Sequence, residues 1–195
     1  SEIRPNQQGM LDVDARHSLY WEESGNPNGI PVVFLHGGPG AGTGASHRRF
    51  FDPAAYRIIL FDQRGAGRST PYAEVTDNTT DHLIEDIEAL RRRLDVEQWL
   101  VFGGSWGATL AVVYAARFAD RCLGLILRGV FLGRQHELDW FFGGVRSVFP
   151  DVWERFVGYL PEHERGDVLA AYHHRLMNQA SDIHGPAARS WNAFE

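Results

Sequence analysis

Ser105 lies in the run Val101 to Leu110, VFGGSWGATL, with Gly103 and Gly107 two residues to either side. A serine hydroxyl needs a special mounting before it can attack a carbonyl. The pattern Gly-x-Ser-x-Gly supplies one, a nucleophile elbow, in which the serine tops a sharp and crowded strand-to-helix turn. Glycines at 103 and 107 leave room for that backbone. The serine oxygen is then held out toward substrate, while the amide of the next residue, Trp106, points at the carbonyl oxygen under attack. A helix starting there also offers N-terminal amides and the positive end of its dipole to developing negative charge. The flanks fit this setting: Gln98 to Phe102 carry a strand signal and Ala108 to Phe118 a helix signal.

Two further glycine-rich stretches follow apolar runs. His36, Gly37, Gly38, Pro39 and Gly40 come after Pro31–Leu35. Such a loop leaves amides free and lets a substrate approach the backbone closely. A hydrolase with an elbow takes its second oxyanion donor from a loop of this kind, and Gly38 is the candidate; a plain tight turn is the alternative. The third stretch is DQRGAGRS, 62 to 69, after Tyr56 to Phe61. A phosphate cradle is its rival reading, but it lacks the lysine and the full spacing of a Walker loop. Asp62 and Arg64 are expected to hold the loop by hydrogen bonds and charge.

These loops need a sheet behind them. Pro31–Leu35, Tyr56 to Phe61 and Leu123 to Leu127 are short continuous apolar runs, the signature of strands buried on both faces of a parallel sheet. Leu83, Ile87, Leu90 and Leu94 fall at helical spacing, with Thr79 or Thr80 as N-cap. Leu11 to Val13 and Ser18 to Glu22 suggest an edge hairpin, followed by a turn cluster at 25 to 29. Strands alternating with helices predict a doubly wound, mostly parallel α/β sheet, and ligands in such sheets bind beyond the C-terminal strand ends. All three glycine-rich stretches lie at such ends. Residues 1–131 are therefore read as the core. From 132 to 195, aromatic residues among charged ones, Trp140, Phe141, Phe142, Phe149, Trp153, Phe156 and Tyr159 included, suggest the beginning of a helical cap.

The chain has 195 residues and a net charge of -6, which gives no electrostatic reason to expect nucleic acid. The one basic run, Arg91 to Arg93, reads as a solvated helix end beside Glu85, Asp86 and Glu88. Cys122 is the single cysteine and reads as a small core residue, with no internal disulfide. No apolar run of about 18 residues suggests a membrane span, and a reducing cytoplasm is the default compartment.

HGGPG at 36 to 40, DQRGAGRS at 62 to 69 and GGSWGATLA at 103 to 111 together resemble the motifs of the prolyl iminopeptidases, or proline aminopeptidases, of the α/β-hydrolase superfamily. The similarity runs from about Gly9 to the end of the chain. It implies a serine acyl-enzyme that removes N-terminal proline from peptides without metal or coenzyme. Residue by residue, Ser105 resembles the nucleophile, and the amides of Gly38 and Trp106 the oxyanion hole. Phe131 and Phe141 resemble residues lining the proline pocket, Arg128 part of its polar network, and Glu195 the acid that meets the substrate's ammonium. Phe194 stands where the family usually has tryptophan. A carboxylate within an aromatic pocket suits a cationic amine beside a small apolar ring.

A serine also needs a histidine to take its proton and a carboxylate to orient that histidine. In this fold they follow the serine, from later strand ends. Beyond Ser105 stand Asp120, Glu137, Asp139 and His136, His163, His173, His174 and His184, none after a strand-like run. His36 resembles a structural residue of the family. The sequence thus reads as the N-terminal part of a longer enzyme, inactive alone, with the last strand, Leu123 to Leu127, left as an open sheet edge. An esterase or other amide hydrolase of the same fold, or a non-catalytic short form, are the alternatives.

Overall fold

The computed structural model describes residues 2–194. They form two compact units, 2–132 and 133–194. In the first, β1 (Pro5–Asp12), β2 (Ser18–Gly25), β3 (Ile30–Leu35), β4 (Tyr56–Phe61), β5 (Trp99–Gly104) and β6 (Cys122–Arg128) make one sheet in the order β1-β2-β4-β3-β5-β6. β1 pairs antiparallel with β2, and β2 antiparallel with β4, while β4, β3, β5 and β6 run parallel. The edge hairpin is longer than the sequence suggests. β1 reaches back to Pro5, where the consecutive polar residues Asn6, Gln7 and Gln8 give no apolar signal.

β3, β4 and β5 are largely apolar because both of their faces are buried. Val33, Leu35, Ile59, Phe61 and Val101 point to one face, against α1 (Thr80–Arg93) and α2 (Trp106–Arg117). Val32, Phe34, Ile58, Leu60 and Phe102 point to the other, which carries a 3-10 turn at Ala45–Phe50 and Phe51. Thr79 caps α1, its side chain accepting the amide of His82. Two consecutive glutamates of β2 are buried on opposite faces: Glu22 takes both ends of the Arg48 guanidinium at 2.6 and 3.0 Å, and Glu23 takes Arg57 at 2.7 Å.

Two expectations need correction. The run Leu123 to Leu127 forms a strand but is not buried: Leu123 and Ile126 are 51% and 41% exposed. β6 ends the sheet, with β5 as its one partner, and burial requires neighbours that composition cannot provide. Arg91 is not solvated. Its guanidinium is buried against Glu88 at 2.6 and 2.9 Å and donates to the carbonyl of Val96, and the Tyr114 hydroxyl donates to the same glutamate. Arg92 and Arg93 are exposed.

Residues 133–194 contain helices and no strand among the described residues: α3 (Gln135–Phe141), α4 (Pro150–Gly158), α5 (Val168–Leu176) and α6 (Ser181–Phe194), with short 3-10 turns. Phe156 and Tyr172 centre their core, stacked at 4.3 Å, and Phe194 stacks on Phe156 at 4.0 Å. Among the described residues no helix is long and apolar enough to cross a membrane.

Candidate active site

Sheet order selects one crevice. From β3 the chain passes to β4 on one side, then returns across β3 to β5 and on to β6. The switch point lies at the C-terminal ends of β3 and β5, where ligands of open α/β sheets bind. His36 to Gly40 leave one of these ends and Ser105 the other.

Ser105 adopts φ 53° and ψ -120°, a left-handed conformation that costs a non-glycine residue on the order of 1–3 kcal/mol. Its amide donates to the Arg128 carbonyl at 3.0 Å, and its carbonyl accepts the amide of Ala108 at 2.9 Å. These bonds hold the strained residue while its side chain stays exposed. The glycines flank it for lack of space: a Cβ on Gly107 would sit 2.0 Å from the Leu35 carbonyl oxygen, and one on Gly103 would sit 2.1 Å from that of Gly107. Trp106 opens α2, so its amide is among those with no intrahelical acceptor.

Gly38 is exposed at φ 114°, and a Cβ there would lie 2.6 Å from the Gly40 nitrogen and 2.8 Å from that of Ala41. The loop thus brings two backbone nitrogens near one point, with the Ala41 amide donated to the Gly37 carbonyl at 3.3 Å. It also approaches the elbow, since a Cβ on Gly37 would meet that of Ser105 at 3.2 Å.

His36 is fixed between these parts. Its Nε2 accepts the Gln63 amide at 3.0 Å, and its Nδ1–H donates to the Gly37 carbonyl at 2.9 Å. Burial pushes its pKa down, so the ring is neutral. Its single acceptor nitrogen is occupied, and it is not placed to take a proton from Ser105. The expectation of a structural role fits this geometry.

The third loop is closed upon itself. Asp62 is fully buried and accepts the Thr43 amide at 2.7 Å, the Thr43 hydroxyl at 2.6 Å, and the Arg68 amide and Nε at 2.8 Å each. Burial works to raise its pKa, but the hydrogen bonds from Arg68 and Thr43 outweigh it and hold the carboxyl below the usual range. Arg64 makes two bonds to Asp86, at 2.6 and 2.8 Å, and others to Asp14 and the Asp77 carbonyl.

A cavity of about 480 Å³ opens beside Ser105, lined by Gly37, Ala41, Gly42, Gly104, Arg128 and Gly129, with Phe34, His47, Phe50 and Phe102 as an aromatic wall. His47 stacks on Phe34 at 4.7 Å, its Nδ1 accepts the Gly44 amide, and burial lowers its pKa. No motif or spacing pointed to this wall, because its rings come from three distant segments. Arg128 ends β6, exposed, and Phe131 follows half-buried, its carbonyl accepting the Thr109 hydroxyl. Phe141 belongs to the helical unit, where it meets Phe142 and Phe194. Glu195 lies outside the described residues. His136, His163, His173 and His174 are exposed on the helical unit, and His184 is bonded to the Asn178 carbonyl.

A parallel-centred sheet with a left-handed serine at its switch point defines a hydrolase class, and the sequence agrees: residues 30–192 match the model of the alpha/beta hydrolase fold. The chain belongs to the α/β-hydrolase family. It is 54% identical over 194 residues to a probable proline iminopeptidase of Leptolyngbya boryana, covering 99% of this chain and 60% of that protein. Against the proline iminopeptidase of Arabidopsis thaliana identity is 55%, over 99% of this chain and 51% of that one. The chain thus spans about half to three-fifths of these relatives. Among solved structures, a proline iminopeptidase-related protein from Thermus thermophilus superposes with a TM-score of 0.61 at 26% identity, over 97% of this chain and 66% of that one.

Proposed function

We propose that the protein whose N-terminal part this chain represents is a serine exopeptidase that releases N-terminal proline from peptides. The observation that carries the reading is Ser105, held left-handed and exposed at the sheet's switch point. In this reading its Oγ attacks the proline carbonyl carbon and its proton passes to a histidine. The carbonyl oxygen becomes an oxyanion facing the amides of Trp106 and Gly38. Collapse expels the rest of the peptide as an amine that takes the proton, and water then hydrolyses the prolyl ester.

The histidine and its orienting carboxylate come from chain beyond residue 195, together with two more strands that continue the sheet past β6. The bare edge and the exposed Leu123 and Leu125 are what such strands would cover. The helical unit is read as the beginning of a cap, and Phe131, Phe141, Arg128 and Glu195 are the residues proposed to recognise the proline and its ammonium. A single, half-buried cysteine fits a cytoplasmic setting.

Steady-state assay of the full-length protein on a proline arylamide and on a simple aryl ester tests this. The expected result is clear preference for the proline amide. Hydrolysis of the ester alone moves the assignment to another acyl substrate.

A further inference from the structure

One side chain, bonded both to the His36 carbonyl and to the Trp106 indole, serves neither the motif reading nor the reaction. Gln63, the residue after Asp62, is buried, with 3% of its surface exposed. Its Nε2 donates to the His36 carbonyl at 2.8 Å, and its Oε1 accepts the Trp106 indole Nε1–H at 3.2 Å. Its backbone amide donates to His36 Nε2 at 3.0 Å. In the order β4-β3-β5, Gln63 therefore reaches from the end of β4 across the end of β3 to the helix that leaves β5.

We propose that Gln63 is a positioning residue for the oxyanion hole: its amide ties the elbow at Trp106 to the His36 loop, fixing the spacing between the amides of Trp106 and Gly38. This rests on the reading of Ser105 and those two amides given above. The orientation of the amide is set by chemistry. An indole N–H can only donate and a carbonyl can only accept, so a planar group with one donor and one acceptor is required. The β3–β5 ladder ends at the Leu35–Gly103 pair, and beyond it the loop and the elbow come into close van der Waals approach at Gly37 and Ser105. Such contact limits distance but allows sliding, whereas two directional hydrogen bonds at opposite ends of one buried amide do not.

Substitutions separate this role from general stability. Gln63→Ala removes both bonds; Trp106→Phe removes one and keeps the amide that faces the oxyanion. Gln63→Glu keeps the shape but turns a carboxylate oxygen toward the His36 carbonyl. When protonated, that carboxyl again offers one donor and one acceptor.

The experiment measures the second-order rate of Ser105 phosphonylation by a fluorophosphonate, whose P=O oxygen occupies the oxyanion site, on full-length protein. kcat and KM are measured beside it on the proline arylamide and the aryl ester. Expected for Gln63→Ala is a fall of about 10- to 100-fold in phosphonylation and in kcat, with KM within about twofold. Trp106→Phe falls similarly, and the double variant falls no further than the worse single one. The rate of Gln63→Glu relative to wild type climbs as pH is lowered toward about 5, where the carboxyl gains its proton.

Rates within about twofold of wild type in Trp106→Phe, additive losses, a loss confined to KM, or a Gln63→Glu ratio flat with pH would each overturn the proposal. Should Gln63→Ala fail to fold, Trp106→Phe and the pH profile of Gln63→Glu decide. A wild type that is phosphonylated yet leaves proline amides intact refutes the exopeptidase reading alone, because the labelling rates still read the clamp.

Discussion

The loops that leave β4 and β5 are both glycine-rich, and both rise from the C-terminal edge of the same sheet, yet they treat their polar groups in opposite ways. After β4, Asp62 and Arg64 spend their hydrogen-bonding capacity inside the protein, on Thr43, Arg68, Asp86 and Asp14. After β5, Ser105 is strained, exposed and bonded through its backbone, leaving its hydroxyl to face a cavity. A satisfied charge network makes a scaffold; a strained and unspent side chain makes a reactive site. Gln63 joins the two, with its main chain in the first loop and its side chain against the second.

The contrast can be broken most severely at Gly107. Replacement by alanine puts a Cβ 2.0 Å from the Leu35 carbonyl oxygen, and either strand or elbow must move. A loss of about 4 kcal/mol or more is expected, read from urea denaturation. Asp62→Asn comes next. Asp62 is buried but its partner Arg68 is 40% exposed, so loss of the charged acceptor is expected to cost about 2 kcal/mol.

That carboxyl also sets a pH dependence. Its folded pKa is depressed below the unfolded value, so its stabilisation is complete above about pH 4 and is lost as pH falls through the folded value. The urea midpoint of the wild type is therefore expected to drop more steeply than that of Asp62→Asn below about pH 4. The scaffold loop responds to acid through this group.

Ser105→Gly acts in the opposite direction. Glycine relieves the left-handed strain, and a gain of about 1 kcal/mol in stability is expected alongside the loss of the hydroxyl. No comparable gain is available at Asp62. The smallest effect belongs to Thr43→Val, which removes the hydroxyl's bond to Asp62 and the one it accepts from exposed Arg68 but leaves the amide bond, at a cost of about 1 kcal/mol in the same denaturation assay.

Much of this was legible in the residues. The runs at Pro31–Leu35 and Ile58 to Phe61 had to be buried strands because nothing polar interrupts them, and Thr79 announced the start of α1. Ser105, between its glycines, announced a turn that the left-handed φ bears out. Other features stayed hidden because they depend on distant partners. Arg91 reads as a surface cation until Glu88 and Tyr114 enclose it, and the buried Glu22 needs Arg48, 26 residues away. β6, by contrast, has a core composition but takes the open-edge position expected of it. Gln63 sat within a recognised motif, overshadowed by the charges beside it.

The central claim, that Ser105 is the nucleophile of a proline-releasing enzyme completed by later chain, is tested most directly by one assay. Full-length protein, its Ser105→Ala variant and the 195-residue chain are each given a proline arylamide. The account predicts turnover by the full-length protein alone, with the variant slower by about 10⁴-fold or more. Proline release by the 195-residue chain, or by the Ser105→Ala variant at a rate near wild type, would contradict it.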